Sequence, residues 1–346
     1  MVRFLHLRDI YVRVRVVMHT FQKIALYSSL FLVSISWATE KNWIRLDVEK
    51  PVNSTTIALS SNGLKIAIAD KSPGFIYTSS DAGITWTEQK WSGQRNWAAV
   101  AFSWDGKFLV AANQNGFIYT SSDAGVTWTE QKWSWQRNWS ALVSNDNGTR
   151  LYAAERNGYI YSSSDKGITW TEQTTSWQRT WRWIAVSSNG SKIAAAAQND
   201  YIYTSTNYGA TWSARTGSGK RSWYAVASSA DGNKLVAVDF SGYIYTSANS
   251  GGNWSARTAT QRRDWTSVAS SADGNKLIAA ADNGLAYIST NSGSTWIGLE
   301  LSMTRRWSFL ASSADGSMLV GTVVGGGTYA LTAPLIMNIT SSKPDG

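Results

Sequence analysis

Residues 79–86 read SSDAGITW, and the same pattern returns as SSDAGVTW at residues 121–128 and as SSDKGITW at residues 163–170. Three further copies keep the first serine, the glycine and the tryptophan, at residues 205–212, 247–254 and 289–296. Successive copies begin 42 residues apart. A fixed period of this length is typical of a protein built from repeated supersecondary units.

A second turn repeats in step with this pattern. It ends on seven glycines, the first two 43 residues apart and the rest 42 apart: Gly63, Gly106, Gly148, Gly190, Gly232, Gly274 and Gly316. Apolar strands lie on both sides of each glycine, a third strand of the form G-x-I-Y-T-S follows, and a fourth begins at the tryptophan. Four short strands per 42 residues predict one blade of a β-propeller.

The repeats predict an all-β chain with a single seven-bladed β-propeller of four-stranded blades over residues 39–331. Trp43 lies 20 residues before Gly63, the same distance that separates Trp86 from Gly106. We therefore expect the strand at residues 42–48 to complete the last blade and close the ring. Residues 1–38 are expected to be a leader, and residues 332–346 a C-terminal tail.

The eight-residue pattern resembles the Asp-box, S-x-D-x-G-x-T-W, of sialidases, sortilin-type receptors and photosystem II stability/assembly factors. The blade texture is most similar to the last group, whose members are exported and non-catalytic. The resemblance implies the fold and leaves the function open. In the last three copies the aspartate is replaced by Asn207, Asn249 and Asn291. Asparagine keeps the acceptor that a turn needs and loses the charge, so we interpret the boxes as turn-forming elements.

Two columns of residues precede the turn glycines. Eleven residues before each glycine except the first is an arginine, and two residues after the arginine is a tryptophan; they are Arg95, Arg137, Arg179, Arg221, Arg263 and Arg305, with Trp97, Trp139, Trp181, Trp223, Trp265 and Trp307. The first repeat has Val52 and Ser54 instead. The tryptophans are expected to pack between blades, and the arginines to stack on them or to pair with a loop carboxylate. The alternative is a cationic, aromatic channel mouth that binds a ligand.

Catalysis finds little support in the sequence. There is no cysteine, and both histidines, His6 and His19, lie in the predicted leader, which excludes histidine-based triads and cysteine- or histidine-ligated metals. Sialidases use an arginine triad, a Tyr–Glu pair and an Arg-Ile-Pro motif, and this chain lacks that motif. Unassigned carboxylates such as Glu155 and Asp239 keep a glycosidase open as the weakest alternative. No cofactor and no metal are expected.

The leader predicts export. From Met18 a lysine-containing stretch leads into an apolar run at residues 24–35 and ends in Ser-Trp-Ala at residues 36–38. The run is too short to be a stable membrane span. Cleavage after Ala38 lowers the formal charge from +9 to +5, because five basic residues and one acidic residue are removed.

We therefore expect a secreted or periplasmic monomer, or a protein of the thylakoid lumen in a photosynthetic source. Its function is predicted to be that of a non-catalytic binding scaffold. The partner is a protein or a glycan, an anionic one suits the positive charge, and nucleic acid is not expected. A photosystem II assembly-factor-like protein and a multivalent lectin are the alternatives.

Overall fold

The computed structural model of the protein describes residues 43–46, 54–70, 73–299 and 305–332. In these residues the regular structure consists of β-strands and five 3-10 turns of three residues each. This agrees with the all-β propeller fold expected from the sequence. The predicted leader (residues 1–38) and all but the first residue of the predicted tail lie outside the described residues.

The strands follow one another in the order expected for each repeat. The first strands are β2 (Ser54–Leu59), β6 (Trp97–Phe102), β10 (Arg137–Ser144), β14 (Arg179–Val186), β18 (Arg221–Ser228), β22 (Arg263–Ser270) and β26 (Trp307–Ser312). The second strands are β3 (Ile66–Asp70), β7 (Leu109–Gly116), β11 (Leu151–Gly158), β15 (Ile193–Asp200), β19 (Leu235–Gly242), β23 (Leu277–Ala281) and β27 (Met318–Val323). The third strands are β4 (Ile76–Ser79), β8 (Ile118–Ser121), β12 (Ile160–Ser163), β16 (Ile202–Ser205), β20 (Ile244–Ser247), β24 (Ala286–Ser289) and β28 (Thr328–Thr332). The fourth strands are β5 (Thr87–Gln89), β9 (Thr129–Gln131), β13 (Thr171–Gln173), β17 (Ser213–Arg215), β21 (Ser255–Ala256), β25 (Ile297–Leu299) and β1 (Trp43–Leu46).

Within each repeat the four strands pair in order and antiparallel, which gives the four-stranded unit expected of a propeller blade. We number these units 1 to 7 by their first strands. The first strand of a unit has a bulge near its start, as between Trp139 and Ala141 in unit 3. Before the bulge the same strand pairs with the preceding unit, where Arg137 lies opposite Gly116. Equivalent pairings join units 1 to 7 in succession at the start of the first strands of units 2 to 7.

Unit 7 combines both ends of the described chain. Strand β1 pairs antiparallel with β28, with Trp43 opposite Leu331 and Leu46 opposite Thr328. The ring of Trp43 lies 4.8 Å from the ring of Trp307. Trp43 packs on the apolar cluster between units 6 and 7, and Leu46 on the cluster between units 7 and 1. Positions 42, 47 and 48 of the predicted strand lie outside the described residues.

A cyclic set of backbone hydrogen bonds links the turns between first and second strands. In each turn one residue donates its N–H to the carbonyl of the equivalent residue in the next unit, at 2.6–3.1 Å, and the last donates back to the first. The seven residues are Ser61, Trp104, Asp146, Ser188, Ala230, Ala272 and Ala314. They surround a cavity of about 180 Å³ at this end of the channel.

The apolar core lies between neighbouring units. In one cluster Ala69 and Ile76 of unit 1 pack against Trp97, Leu109 and Tyr119 of unit 2, all fully or almost fully buried. Equivalent clusters recur at the other seams. Strands covered on both faces by apolar neighbours explain the nearly continuous apolar runs of the sequence.

The Asp-box forms the turn between third and fourth strands. Ser79 Oγ accepts a hydrogen bond from the N–H of Gly83 at 2.8 Å, and Asp81 Oδ1 accepts one from the N–H of Thr85 at 2.8 Å. The hydrogen bonds that the Thr85 hydroxyl and N–H donate lower the pKa of Asp81 to about 2. In the asparagine copies the carbonyl is still the acceptor, with 3.0 Å from the N–H of Thr211 to Asn207 Oδ1. The turn is therefore held by a hydrogen bond to a side-chain oxygen in the aspartate copies and in the asparagine copies alike.

Candidate functional site

The Asp-box turns and the hydrogen-bonded ring lie at one face of the units. The first strands begin at the opposite face, which we call the channel face. All twelve residues of the predicted arginine and tryptophan columns lie at the channel-face end of the units, because the first strand runs from this face toward the Asp-box face.

The tryptophan column is core. The six side chains Trp97, Trp139, Trp181, Trp223, Trp265 and Trp307 are 0–1% exposed. Each meets the tyrosine of the third strand of its own unit at 5.0–6.0 Å between ring centroids, mostly edge to face. Aromatic pairs in this geometry stabilise a core beyond the area they bury. Almost no area of these side chains is accessible, although Trp97 and Trp139 contribute to the lining of a cavity at the channel face. A ligand-binding role for the column stays a prediction.

The arginine column stacks on tyrosine. The guanidinium carbons of Arg95, Arg137, Arg179, Arg221, Arg263 and Arg305 lie 4.1–5.0 Å from the ring centroids of Tyr119, Tyr161, Tyr203, Tyr245, Tyr287 and Tyr329. The expectation of stacking on the tryptophans was therefore wrong in the main, although Arg95 also lies 5.7 Å from the ring of Trp97. The tryptophan and tyrosine rings of each unit meet at 70–86°, and the guanidinium lies over the tyrosine ring.

Carboxylates of the second strands pair with three of these arginines. Arg137 lies 3.3 Å from Glu155, Arg179 3.3 Å from Asp200, and Arg221 3.9 Å from Asp239. This part of the expectation agrees with the structure. The side chains of the three arginines are 23–37% exposed, and the guanidinium groups are both stacked on tyrosine and paired with a carboxylate.

Burial and hydrogen bonds to carboxylates raise the pKa of several of these tyrosines. Tyr161 Oη donates to Glu172 at 2.8 Å and to Glu155 at 3.2 Å. Burial, followed by the hydrogen bond to Glu172, raises the pKa of Tyr161 far above its usual range. Burial raises the pKa of Tyr77 to about 12. A tyrosine nucleophile needs the opposite shift, toward the phenolate.

A cavity at the channel face breaks the repeated pattern. It has a volume of about 170 Å³, and its lining includes Arg156, Arg182, Trp183, Tyr224 and Phe309. The rings of Trp183 from unit 4 and Phe309 from unit 7 stack at 5.3 Å with 26° between their planes. Units 4 and 7 are not neighbours along the chain, and this contact brings them together in one wall of the cavity.

Two cations of this cavity have no carboxylate partner. Arg182 lies 4.4 Å from the ring of Tyr224, and burial lowers the pKa of its guanidinium, which still remains charged at neutral pH. Arg156 is exposed beside it. Within the described ranges neither guanidinium lies within ion-pair distance of an aspartate or glutamate. Positive charge, aromatic walls and partial burial together favour an anionic group as the occupant.

Trp97 and Trp139 are the column residues that contribute to this cavity, and the sequence did not predict Arg182, Trp183, Tyr224 or Phe309 as site residues. Three residues after each arginine the column reads Ala98, Ser140, Arg182, Tyr224, Thr266 and Ser308. One residue further on it reads Ala99, Ala141, Trp183, Ala225, Ser267 and Phe309. The signal that locates the cavity is the change from small to large side chains at these two positions in units 4, 5 and 7.

No group of acidic or histidine side chains suited to a metal ion occurs among the described residues. No helix in the described part of the chain is long and apolar enough to cross a membrane.

Comparison with known proteins places the fold. Residues 91–180 match the profile of the DUF6242 beta propeller domain. A search of curated protein sequences gives no match. YCF48 from Cyanidioschyzon merolae is similar in structure, with a TM-score of 0.67 and 15% sequence identity over 84% of this chain and 98% of that chain. A structure of YCF48 bound to D1 peptide is equally similar, with a TM-score of 0.67 and 14% identity over 85% and 97% of the two chains.

A glycoside hydrolase also shares the architecture. The GH74 xyloglucanase from Xanthomonas campestris has a TM-score of 0.66 and 13% identity over 84% of this chain. The match spans only 53% of the length of that enzyme. At these identities the likeness establishes the fold alone. Together with the repeated turn motif, it identifies this chain as a β-propeller of the Asp-box type.

Proposed function

We propose that this protein is a non-catalytic binding scaffold that holds an acidic segment of a partner protein in the channel-face cavity. The proposal depends on one observation, which is that the two guanidinium groups of Arg156 and Arg182 have no carboxylate partner among the described residues, at a place where the repeat loses its symmetry. The six arginines of the column are stacked on tyrosine, and three of them are also paired with a carboxylate. Beside them, two cations without an anion are suited to a ligand that supplies one.

The size of the cavity supports a side chain or a chain terminus as the bound group. About 170 Å³ accepts a carboxylate with a few attached carbon atoms. A partner of this kind would place its carboxylate between the two arginines and its apolar part on Trp183 and Tyr224. The similar propeller YCF48 has been solved with D1 peptide bound, which favours a peptide over other partners.

The scaffold is proposed to be a seven-bladed ring closed by β1. Support comes from the pairing of β1 with β28 and from the cyclic hydrogen bonds of the seven turns. Export, a monomeric state and a photosystem II assembly-factor-like role remain proposals that stand on the sequence. N-terminal sequencing of the mature protein and size-exclusion chromatography with light scattering test the first two.

A glycoside hydrolase is the weaker candidate. It needs a pair of carboxyl groups flanking a bond in a substrate cleft. The carboxylates of the second strands, Glu155, Asp200 and Asp239, are each engaged by an arginine of the column. The tyrosines beside them have raised pKa values, opposite to what a nucleophile needs.

The cavity is tested by removing its charge. Arg156→Gln and Arg182→Gln, made singly and together, are expected to weaken binding of acidic peptides by at least tenfold and to flatten its salt dependence. Fluorescently labelled peptides from an acidic and a matched amidated library are titrated, and their anisotropy is measured. Lys107→Gln is the control, because it removes an exposed positive charge at the Asp-box face. Equal affinity of the double variant and the parent would remove the cavity from consideration.

A further inference from the structure

Four tryptophan side chains are exposed at the channel face, outside the cavity. Trp91, Trp133, Trp135 and Trp177 are 61–78% exposed. They lie in or directly after the 3-10 turns that join the fourth strand of one unit to the first strand of the next, in units 1, 2 and 3. The equivalent turns of units 4 and 5 contain no aromatic residue. We call these four residues the tryptophan platform.

The backbone under two of these rings is unfavourable for a residue with a side chain. Trp135 has φ 56° and ψ 164°, and Trp177 has φ 58° and ψ 160°. The same position is Gly93 in unit 1 and Gly219 in unit 4, with φ 70° and 73°. Glycine adopts this conformation readily, whereas a bulky residue adopts it at a cost. Since the rings are exposed, burial in the core does not offset that cost.

The polar neighbours of the platform are mostly uncharged. The residue before the arginine column is Gln94, Gln136 and Gln178 in the three loops that carry tryptophan, and all three amides are exposed. In the two loops without tryptophan the same place is taken by Lys220 and Arg262, whose charges lie over Tyr201 and Tyr243 at 5.5 and 5.4 Å. Lys90 and Lys132 precede Trp91 and Trp133, and the third loop has Thr174 there. Each of the three loops therefore has an exposed glutamine, and only two of them have an exposed lysine. The column arginine that follows each glutamine is stacked on tyrosine.

We propose that the tryptophan platform binds a neutral polysaccharide. Flat, amphipathic aromatic rings stack against the apolar faces of sugar rings, and neighbouring amides donate to and accept from sugar hydroxyls. Four rings on three adjacent units suit a polymer of repeated sugars, which can occupy several of them at once. An anionic membrane surface is the competing occupant. It would require cations beside the rings in every copy, and here the exposed cations Lys220 and Arg262 lie on the loops that lack tryptophan.

The test uses replacements that the fold already accepts. Trp135→Gly and Trp177→Gly restore the residue found in units 1 and 4, so the double variant is expected to keep or raise the melting temperature. Binding to a panel of neutral glucans, xylans and mannans is measured by affinity electrophoresis and by quenching of tryptophan fluorescence. We expect the parent to bind at least one polymer and the double variant to bind it at least tenfold more weakly.

Two control variants show whether binding belongs to the platform. Trp104→Ser removes an exposed tryptophan from the opposite face, where units 1 and 4 have Ser61 and Ser188, and is expected to leave polysaccharide binding intact. Arg156→Gln with Arg182→Gln is also expected to leave it intact, so failure of the cavity and failure of the platform are distinguishable. Absence of binding to every neutral polymer, or equal binding by the double variant, would overturn the proposal. So would platform-dependent binding to phosphatidylserine vesicles alone.

Discussion

At the scale of single residues, the arginine column illustrates what residue spacing can and cannot predict. The columns predicted the buried tryptophans and, as one of two alternatives, the pairing of arginines with carboxylates, which Arg137 and Glu155 exemplify. They did not predict that the guanidinium faces Tyr161, 24 positions further along the chain. Three aromatic columns repeat with the same period, so spacing alone does not tell which ring faces the cation. The rings of Trp139 and Tyr161 meet at 86°, and it is the tyrosine ring that lies under the guanidinium, which only the packing of the side chains determines.

The stacked arginines are expected to contribute stability. Arg137→Gln and Arg179→Gln should each lower the free energy of unfolding by roughly 0.5–2 kcal/mol, because each loses a cation–π contact and leaves a carboxylate without its partner. Urea unfolding of the single and double variants measures the effect. Arg156→Gln is the control, since that exposed guanidinium has no ion-pair partner among the described residues and should leave unfolding unchanged. Unaltered midpoints in the Arg137 and Arg179 variants would show that the column contributes nothing to stability.

At the scale of elements, the period of 42 residues was sufficient to place the four strands of each repeat and both turns. It was insufficient for the 3-10 turns, whose sequences range from KWS to TGS and share little beyond a buried serine or threonine. In units 1 to 4 that serine accepts a hydrogen bond from the first residue of the third strand, as Ser92 does from Ile76 at 3.0 Å. A single small polar residue specifies the turn and leaves its other positions free to vary. The tryptophan platform occupies these variable positions.

At neutral pH the stability of the Asp-box turn is expected to depend on a side-chain oxygen acceptor, which aspartate and asparagine both provide. In acid it is expected to depend also on the ionisation of Asp81. Asp81→Asn should be nearly neutral at pH 7, since units 4 to 6 fold with asparagine. The pKa of Asp81 is lowered to about 2 from a reference value of 3.8. A lowered carboxyl pKa contributes stability above about pH 4 that is lost as the pH falls toward 2. The variant should therefore lose less stability than the parent over this range, as measured by melting temperature from pH 7 to 2.

Gly125→Val is the comparison that tests the turn itself. Gly125 has φ 96°, and a Cβ there would lie 3.2 Å from the Thr78 side chain. Valine at this position should cost well over ~1 kcal/mol at every pH, because it forces a β-branched residue into the left-handed region. If Asp81→Asn proved as damaging at pH 7 as Gly125→Val, the carboxylate would have a role beyond the turn.

At the scale of the whole molecule, the repeats explain the architecture, and the two proposed binding sites lie where the copies depart from one another. The nearly identical contacts between units bury the aromatic columns. The turns between first and second strands use backbone N–H groups in hydrogen bonds to one another. Function then requires positions that the seams leave free, and the cavity and the platform both lie at such positions. The sequence predicted the architecture because the same pattern of strands and turns recurs in every copy of the repeat. It did not predict the sites, because each of them is present in only a few of the units.

Closure of the ring is tested by moving β1 to the other end of the chain. Tyr329 pairs with Arg45 as Tyr77 pairs with Glu88, so Trp43 occupies the place of the box tryptophan. A circular permutant is built from residues 51–331, a linker with the box sequence Ser-Asp-Ala-Gly-Ile-Thr, and residues 43–50. This linker has the length that separates Ser79 from Trp86. We expect cooperative unfolding within a few degrees of the parent, because the strand now enters unit 7 through the same turn as in units 1 to 6.

The matched control ends after residue 331 and lacks β1. It removes Trp43 and Leu46 from two apolar clusters and leaves the edge of β28 unpaired. Loss of two large partly buried side chains should lower stability by several kcal/mol, on the order of ~2–5 kcal/mol per large-to-small change, and the open edge should promote aggregation. Melting curves and light scattering compare the two. If the shorter protein has the same melting temperature as the permutant and stays monomeric, β1 does not hold the ring together. The contacts between units 7 and 1 alone must then close it.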